Sequence, residues 1–194
     1  VNKPMQEFID QKLIKLDAQM GARMREALRS TLARERQELW WETLDAWMDG
    51  SRPDARFAVV GTLKPETVKW LADHGKPAPV SAEIAVPATL PTGKKQARHE
   101  AAQNALTKAE WRGLTSLLDS PGAIYYDTGS GKLMFVADGL GPTKIAVEFD
   151  PKKLKKSDPN LIKTAFRVSD ETIAGQIKGG EWEVVEVSGR PGGI

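Results

Sequence analysis

The sequence predicts an α+β protein: a long N-terminal helical arm followed by helices packed on an antiparallel sheet of about four or five strands. Three observations carry this. From Met5 to Met48 there is no proline and one glycine, and apolar residues recur every three or four positions. Beyond Ala123 the apolar period drops to two. Between these stretches, short apolar runs alternate with helix-start signals. The 194 residues are 40% hydrophobic and include six Trp, enough to fill a core.

In the arm, Ile9, Leu13, Leu16, Met20, Met24, Leu28 and Leu32 form a helical stripe, and Leu39, Trp40, Trp41, Leu44, Trp47 and Met48 widen it. Asp49-Gly50-Ser51-Arg52-Pro53 is a helix stop. An unbroken helix of this length spans about 65 Å at 1.5 Å per residue. Either it turns back near Gly21, or its stripe meets another chain. Leu13, Met20, Met24, Leu28, Trp40 and Trp41 are accordingly the candidate partner-binding residues, in docking or in oligomerisation. The tryptophans have a second reading, as the hinge where the arm buries itself on its own domain.

The expected division is an arm over 1–50, a linker over 51–56, a compact domain over 57–188 and a flexible tail over 189–194. Phe57–Gly61 reads as a buried strand, Pro65 opens a helix that ends at His74-Gly75, and Ser81–Val86 reads as a strand between prolines. The stretch to Gly93 reads as loop, and Lys94–Asn104 as a polar helix or an ordered loop. Thr107-Lys108-Ala109-Glu110 is a capping box opening a helix that runs to Pro121. Ala123–Asp127 and Lys132–Val136 flank a glycine-bearing turn and form a hairpin. Lys144–Phe149 and Ile162–Val168 follow as strands, Ser169 caps a short helix, and Trp182–Val187 is the last strand.

Composition excludes several functions. With no cysteine there is no disulfide framework, no thiolate nucleophile and no cysteine zinc site. No apolar run is long enough to span a membrane or serve as a secretory signal. A net charge of +2 gives no bulk argument for nucleic-acid binding, so only local clusters can make one. Two histidines without a spaced carboxylate pair leave a metal unexpected, and no phosphate-loop or dinucleotide signature points to a cofactor. Gly129-Ser130-Gly131-Lys132 imitates a phosphate loop but lies in a hairpin turn. The opening Val1 suggests a segment cut from something larger.

What remains is general acid–base chemistry of the kind that cleaves RNA without metal, which needs a base for the ribose 2′-hydroxyl and cations for the developing phosphorane charge. His99, in Lys94-Lys95-Gln96-Ala97-Arg98-His99-Glu100, is the candidate base, with Arg98 and Lys132 as candidate cations. His74 is explained by a helix C-terminus. Lys152, Lys153, Lys155 and Lys156 form the densest positive run, a candidate contact for phosphates without sequence specificity.

The ordered set Phe57-Ala58-Val59-Val60-Gly61, Ser81-Ala82-Glu83-Ile84, Arg98-His99, Glu110-Trp111, Leu117-Leu118 with Pro121, and the hairpin resembles the C-terminal region of phage Mu-like head morphogenesis proteins, over roughly Arg52–Val187. The resemblance implies a minor capsid protein in a virion or procapsid within a bacterial host cytoplasm. It would contact the portal protein and the major capsid protein, with the arm as docking element. Domains of this type are also grouped with the barnase, EndoU, colicin and RelE-like nucleases, which would place a catalytic role at Arg98-His99; its partners, among Lys132, Lys144, Thr164 and Arg167, stay open. Three readings result: a head-assembly protein first, then a metal-independent ribonuclease or toxin-like effector, then a nucleic-acid-binding module that contacts packaged DNA or RNA.

Overall fold

A computed structural model describes residues 3–51, 56–77, 79, 81–139, 144–149 and 159–188, with side chains described for all of these except 3–10, 13–14, 16–17 and 149. The lysine run at 152–156, the tail at 189–194, most of the expected linker and the Leu13 side chain lie outside that set. The chain divides into two compact units, Val1–Glu38 and Leu39–Ile194.

The first unit is helical. Helix α1 covers Lys3–Met48 and is not interrupted at Gly21, so the expected alternative of a helical hairpin is discarded. Met20, Met24, Leu28 and Leu32 are all more than half exposed at four-residue intervals.

The second unit begins inside α1, earlier than the expected boundary at residue 50, because three of the last ten helical residues are core. Trp40, Leu44 and Trp47 are buried. Trp40 Nε1 donates to the Trp111 carbonyl at 2.8 Å, and its ring meets Trp47 edge-on at 5.9 Å. Asp45 binds Lys108 at 2.8 Å and Arg112 at 2.7 Å. Of the two readings of the tryptophans, Trp40 follows the second: its indole is buried by its own domain, and the expectation that it anchors a partner is corrected. Trp41 is partly exposed, but its Nε1 donates to the Arg112 carbonyl at 2.9 Å and its ring lies under that guanidinium at 5.4 Å.

Strand β1 (Phe57–Thr62) is followed by α2 (Pro65–Asp73), β2 (Glu83–Pro87), α3 (Thr89–Thr92) and α4 (Lys94–Ala101). Then come α5 (Lys108–Arg112), α6 (Leu114–Asp119), β3 (Ala123–Asp127), β4 (Lys132–Asp138), β5 (Lys144–Phe149), β6 (Asn160–Val168), α7 (Asp170–Lys178) and β7 (Trp182–Val187). The Thr107–Glu110 capping box forms, but Gly113 breaks the single expected helix into α5 and α6. A short helix, α3, stands where loop was expected. His74 is accounted for at the end of α2, where Nδ1 meets the Trp70 carbonyl at 2.8 Å and the ring stacks on Trp70 at 4.0 Å.

The sheet has seven strands in the order β1-β2-β6-β5-β4-β3-β7. It is mixed, not wholly antiparallel, and larger than expected, because β2 joins β6 in parallel through two register pairs. At that seam the side chain of Asn160 supplements the ladder: its amide donates to the Ser81 and Glu83 carbonyls at 2.7 and 2.8 Å, and the residue is fully buried. Period-two alternation sorts the sheet's residues by face. Ile124, Leu133, Phe135, Ile145 and Val147 pack with α1, α5 and α6. Tyr125, Met134, Val136, Ala146 and Val168 face the other way, covered by Ile173 of α7 and by Trp182.

Candidate functional site

Beyond the cover of α7, that second face turns polar, and here α4 lies against β6. Two features set the helix in place. At its start, a Cβ on Gly93 would collide with the Thr89 carbonyl, so only glycine permits the tight join from α3. At its end, Gln103 adopts φ +56°, the left-handed region that residues with a side chain seldom occupy. The chain reverses there, and the amides of Asn104 and Ala105 both donate to the His99 carbonyl, at 2.9 and 3.1 Å.

The reversal brings Asn104 beside the imidazole it has just anchored. His99 Nδ1 lies 2.9 Å from Asn104 Oδ1, and Nε2 lies 2.9 Å from Thr164 Oγ1 on β6. An amide oxygen only accepts, so Nδ1 carries the proton, and in neutral imidazole Nε2 presents its lone pair to the Thr164 hydroxyl. Phe166, two residues along the same strand face, stacks parallel to the ring at 5.9 Å. One turn earlier on α4, Lys95 Nζ donates to the Lys163 carbonyl at 2.6 Å.

Strand register extends the site. Thr164 stands opposite Glu148 on β5, and Glu148 opposite Met134 on β4. Cross-strand partners share a face, so Glu148 and Thr164 stand side by side on it. Glu148 Oε1 accepts from Lys132 Nζ at 2.7 Å, with both side chains largely buried. A polar row therefore crosses three strands: Lys132, Glu148, Thr164, then His99 with Asn104 behind it.

A second layer supports it from the other face. Arg167 gives its backbone N–H to the Asn104 carbonyl at 2.9 Å, and its guanidinium grips Glu110 through Nε at 3.2 Å and Nη2 at 2.8 Å. Glu110 also caps Thr107. Burial by itself raises the Glu110 carboxyl, but the bonds from Arg167 and from the Thr107 amide and hydroxyl outweigh it, and the net displacement is downward.

No protein family, curated protein or solved structure matches the chain. Function must be argued from the side chains.

Among the sequence candidates, His99 and Thr164 are brought together directly, and Lys132 joins their row through Glu148. Arg98 does not: adjacent helical residues diverge by about 100°, and its side chain is exposed without a hydrogen bond or ion pair among the described residues. Arg167 is committed to Glu110, and Lys144 to Asp138 and Asp170 at 3.2 and 3.5 Å, so both hold structure. The Gly129–Lys132 turn is a hairpin turn, with the Asp127 carboxylate accepting from the Gly129 and Ser130 amides at 2.9 Å.

Sequence reasoning missed Glu148 and Asn104. Glu148 lies in a strand whose alternation fixed its face, but only register reveals its neighbours. Asn104 closes a turn that depends on Gln103 adopting a conformation no side-chain pattern announces. Among the described residues no cluster of His, Asp or Glu is arranged to hold a metal ion, and no helix is long and apolar enough to cross a membrane.

What the arrangement can do follows from its parts. With Nδ1 protonated, the oriented histidine can act as a general base through Nε2 once the Thr164 hydroxyl gives up its hydrogen bond there, and Lys132, paired with Glu148, stands in the same row. Lys95, one turn before His99 on the same helix face, adds a cation on that side, an environment suited to an anionic substrate more than to a neutral acyl group.

Proposed function

We propose that the compact unit is a metal-independent ribonuclease whose general acid–base is His99. The observation that carries this is the imidazole held at both nitrogens, by Asn104 and Thr164, on a sheet face that also bears Glu148 and Lys132. In the reaction, His99 Nε2 takes the proton of a ribose 2′-hydroxyl, and the 2′-oxygen attacks the adjacent phosphorus. Lys132 meets the phosphorane charge by turning from its 2.7 Å pairing with Glu148. The bond to the 5′-oxygen then breaks, that oxygen takes the proton back from the imidazolium, and a 2′,3′-cyclic phosphate is left. Asn104, bonded to Nδ1, keeps the ring aimed throughout, while the Thr164 hydroxyl yields Nε2 to the ribose hydroxyl.

The test is RNA cleavage in EDTA with analysis of the product ends. Cyclic phosphate termini, and a loss of about 10²–10⁴ in rate for His99→Ala, are expected; cleavage that persists in that variant overturns the assignment.

A second reading concerns the arm. The exposed row Met20, Met24, Leu28 and Leu32 supports a docking role, and together with the resemblance to Mu-like head morphogenesis proteins it supports reading the chain as a minor head protein that contacts portal and coat subunits. Replacing Met20, Met24 and Leu28 with serine is expected to abolish co-assembly with those subunits and leave RNA cleavage intact. Co-assembly of the triple variant at the native level removes the arm from this role. The two readings are compatible, one for each unit.

A further inference from the structure

One helical turn before His99, a cleft of about 570 Å³ opens between α4 and the strands β2 and β6. Its rim carries Lys94, Lys95 and Lys163, and its wall is apolar, with Pro87, Leu90 and Leu161. No carboxylate is among the described residues that line it. Three lysines around one opening repel each other, and α4 makes this worse, since its first turn has two lysines, no acidic residue and no side-chain cap. The cost is removed when an anion occupies the cleft.

We propose that this cleft is the subsite for single-stranded RNA immediately beside the scissile phosphate, a proposal that rests on the ribonuclease reading and extends it. Lys95 and His99 are four residues apart on one helix face, so the cleft and the imidazole are neighbours. They also share the strand: Lys95 reaches the carbonyl of Lys163, and His99 the hydroxyl of Thr164, the next residue. The residue shift in the β5–β6 register falls at Lys163, between Thr164 and Ile162. A strand passing the imidazole therefore has its next phosphate delivered to the lysine rim. The occupant is a single strand because Pro87 and Leu161, both half-buried, offer an apolar surface for the face of a base, and a duplex keeps those faces stacked within it. With no aromatic among the described lining residues, contact with the base is aliphatic and not by ring stacking.

The experiment measures binding of a fully 2′-O-methylated RNA oligonucleotide, which cannot be cleaved, by fluorescence anisotropy across a salt series with the full chain. Lys94→Gln with Lys163→Gln is the test variant; Lys95 is left in place because it ties α4 to β6. A control variant, Lys69→Gln with Lys178→Gln, removes the same charge elsewhere. The test variant is expected to bind about tenfold more weakly at 0.1 M salt, and its log–log salt slope to fall by about 1.4, since single strands release about 0.7 counterion per phosphate contact. It should also raise KM for RNA and leave kcat within about twofold. Binding and slope equal to the control overturn the subsite. His99→Ala should bind the oligonucleotide as the native chain does. If the native chain binds with the expected lysine dependence but cleaves no RNA, the ribonuclease reading fails, and with it the subsite as a guide to the scissile bond.

Discussion

The Thr164 hydroxyl and the Nε2 of His99 meet at 2.9 Å across 65 residues of chain. The hydroxyl is the group on β6 that fixes where the lone pair points. Thr164→Val keeps the β-branched shape and deletes that contact, so folding stability should change by about 1 kcal/mol. On the proposed ribonuclease reading, RNA cleavage should fall about tenfold in kcat/KM, and a urea midpoint measured beside the rate separates the two effects. A rate unchanged in a folded variant means that Nε2 is positioned by Asn104 and Phe166 alone.

Glu110 is almost fully buried and is held by Arg167 and by its own capping box. Arg167→Met leaves the carboxylate without its cation and is expected to cost about 3–5 kcal/mol near neutral pH. The pH dependence has a definite sign. In the native protein the Glu110 carboxyl lies below its ordinary value, so it contributes stability above the ordinary glutamate range and loses it as the pH falls through the lower, folded value. In the variant the unpaired carboxyl gains from protonation. The stability gap between the two proteins should therefore narrow on acidification, which denaturation midpoints between neutral and acid pH will show.

Trp40 and Met24 lie on the same helix in opposite situations, one buried and one 70% exposed. Trp40→Ala should cost about 3–5 kcal/mol, through the cavity it leaves and the lost bond to the Trp111 carbonyl. Met24→Ala should stay within about 0.5 kcal/mol. Urea denaturation of the two variants checks whether the end of α1 is integral to the compact unit.

Gly93→Ala forces a Cβ against the Thr89 carbonyl at the start of α4. Relief requires the helix to shift, and an overpacked join of this kind costs about 1–3 kcal/mol. Because His99 is carried on that helix, the proposed RNA cleavage should fall by more than the stability loss explains. The imidazole resonances of the folded variant should move with it.

Local chemistry announces itself in a sequence, and pairing over a distance does not. The Thr107–Glu110 box, the proline opening α2, the Ser169 cap and the glycine turn at Gly131 could all be read directly, because each depends on residues within one turn of itself. His99 could be singled out from its basic surroundings, and the strand holding Thr164 from its alternation. The parallel seam was invisible, since it depends on Asn160 finding carbonyls 77 and 79 residues earlier. The same holds for Trp40: apolar spacing leaves it either a partner anchor or a hinge on its own domain, and only the fold shows that its own Trp111 receives it.

The order of the chain imposes a sequence in time on the site. During synthesis α4 emerges with its histidine well before β6 supplies Thr164, and β6 has its place only when the Asn160 seam closes on β2. A nascent or truncated chain that stops short of β6 thus carries the imidazole but nothing on that strand to aim it. On the ribonuclease reading, such a chain is harmless to the RNA around the ribosome that makes it, and activity appears only once nearly the whole domain has been translated.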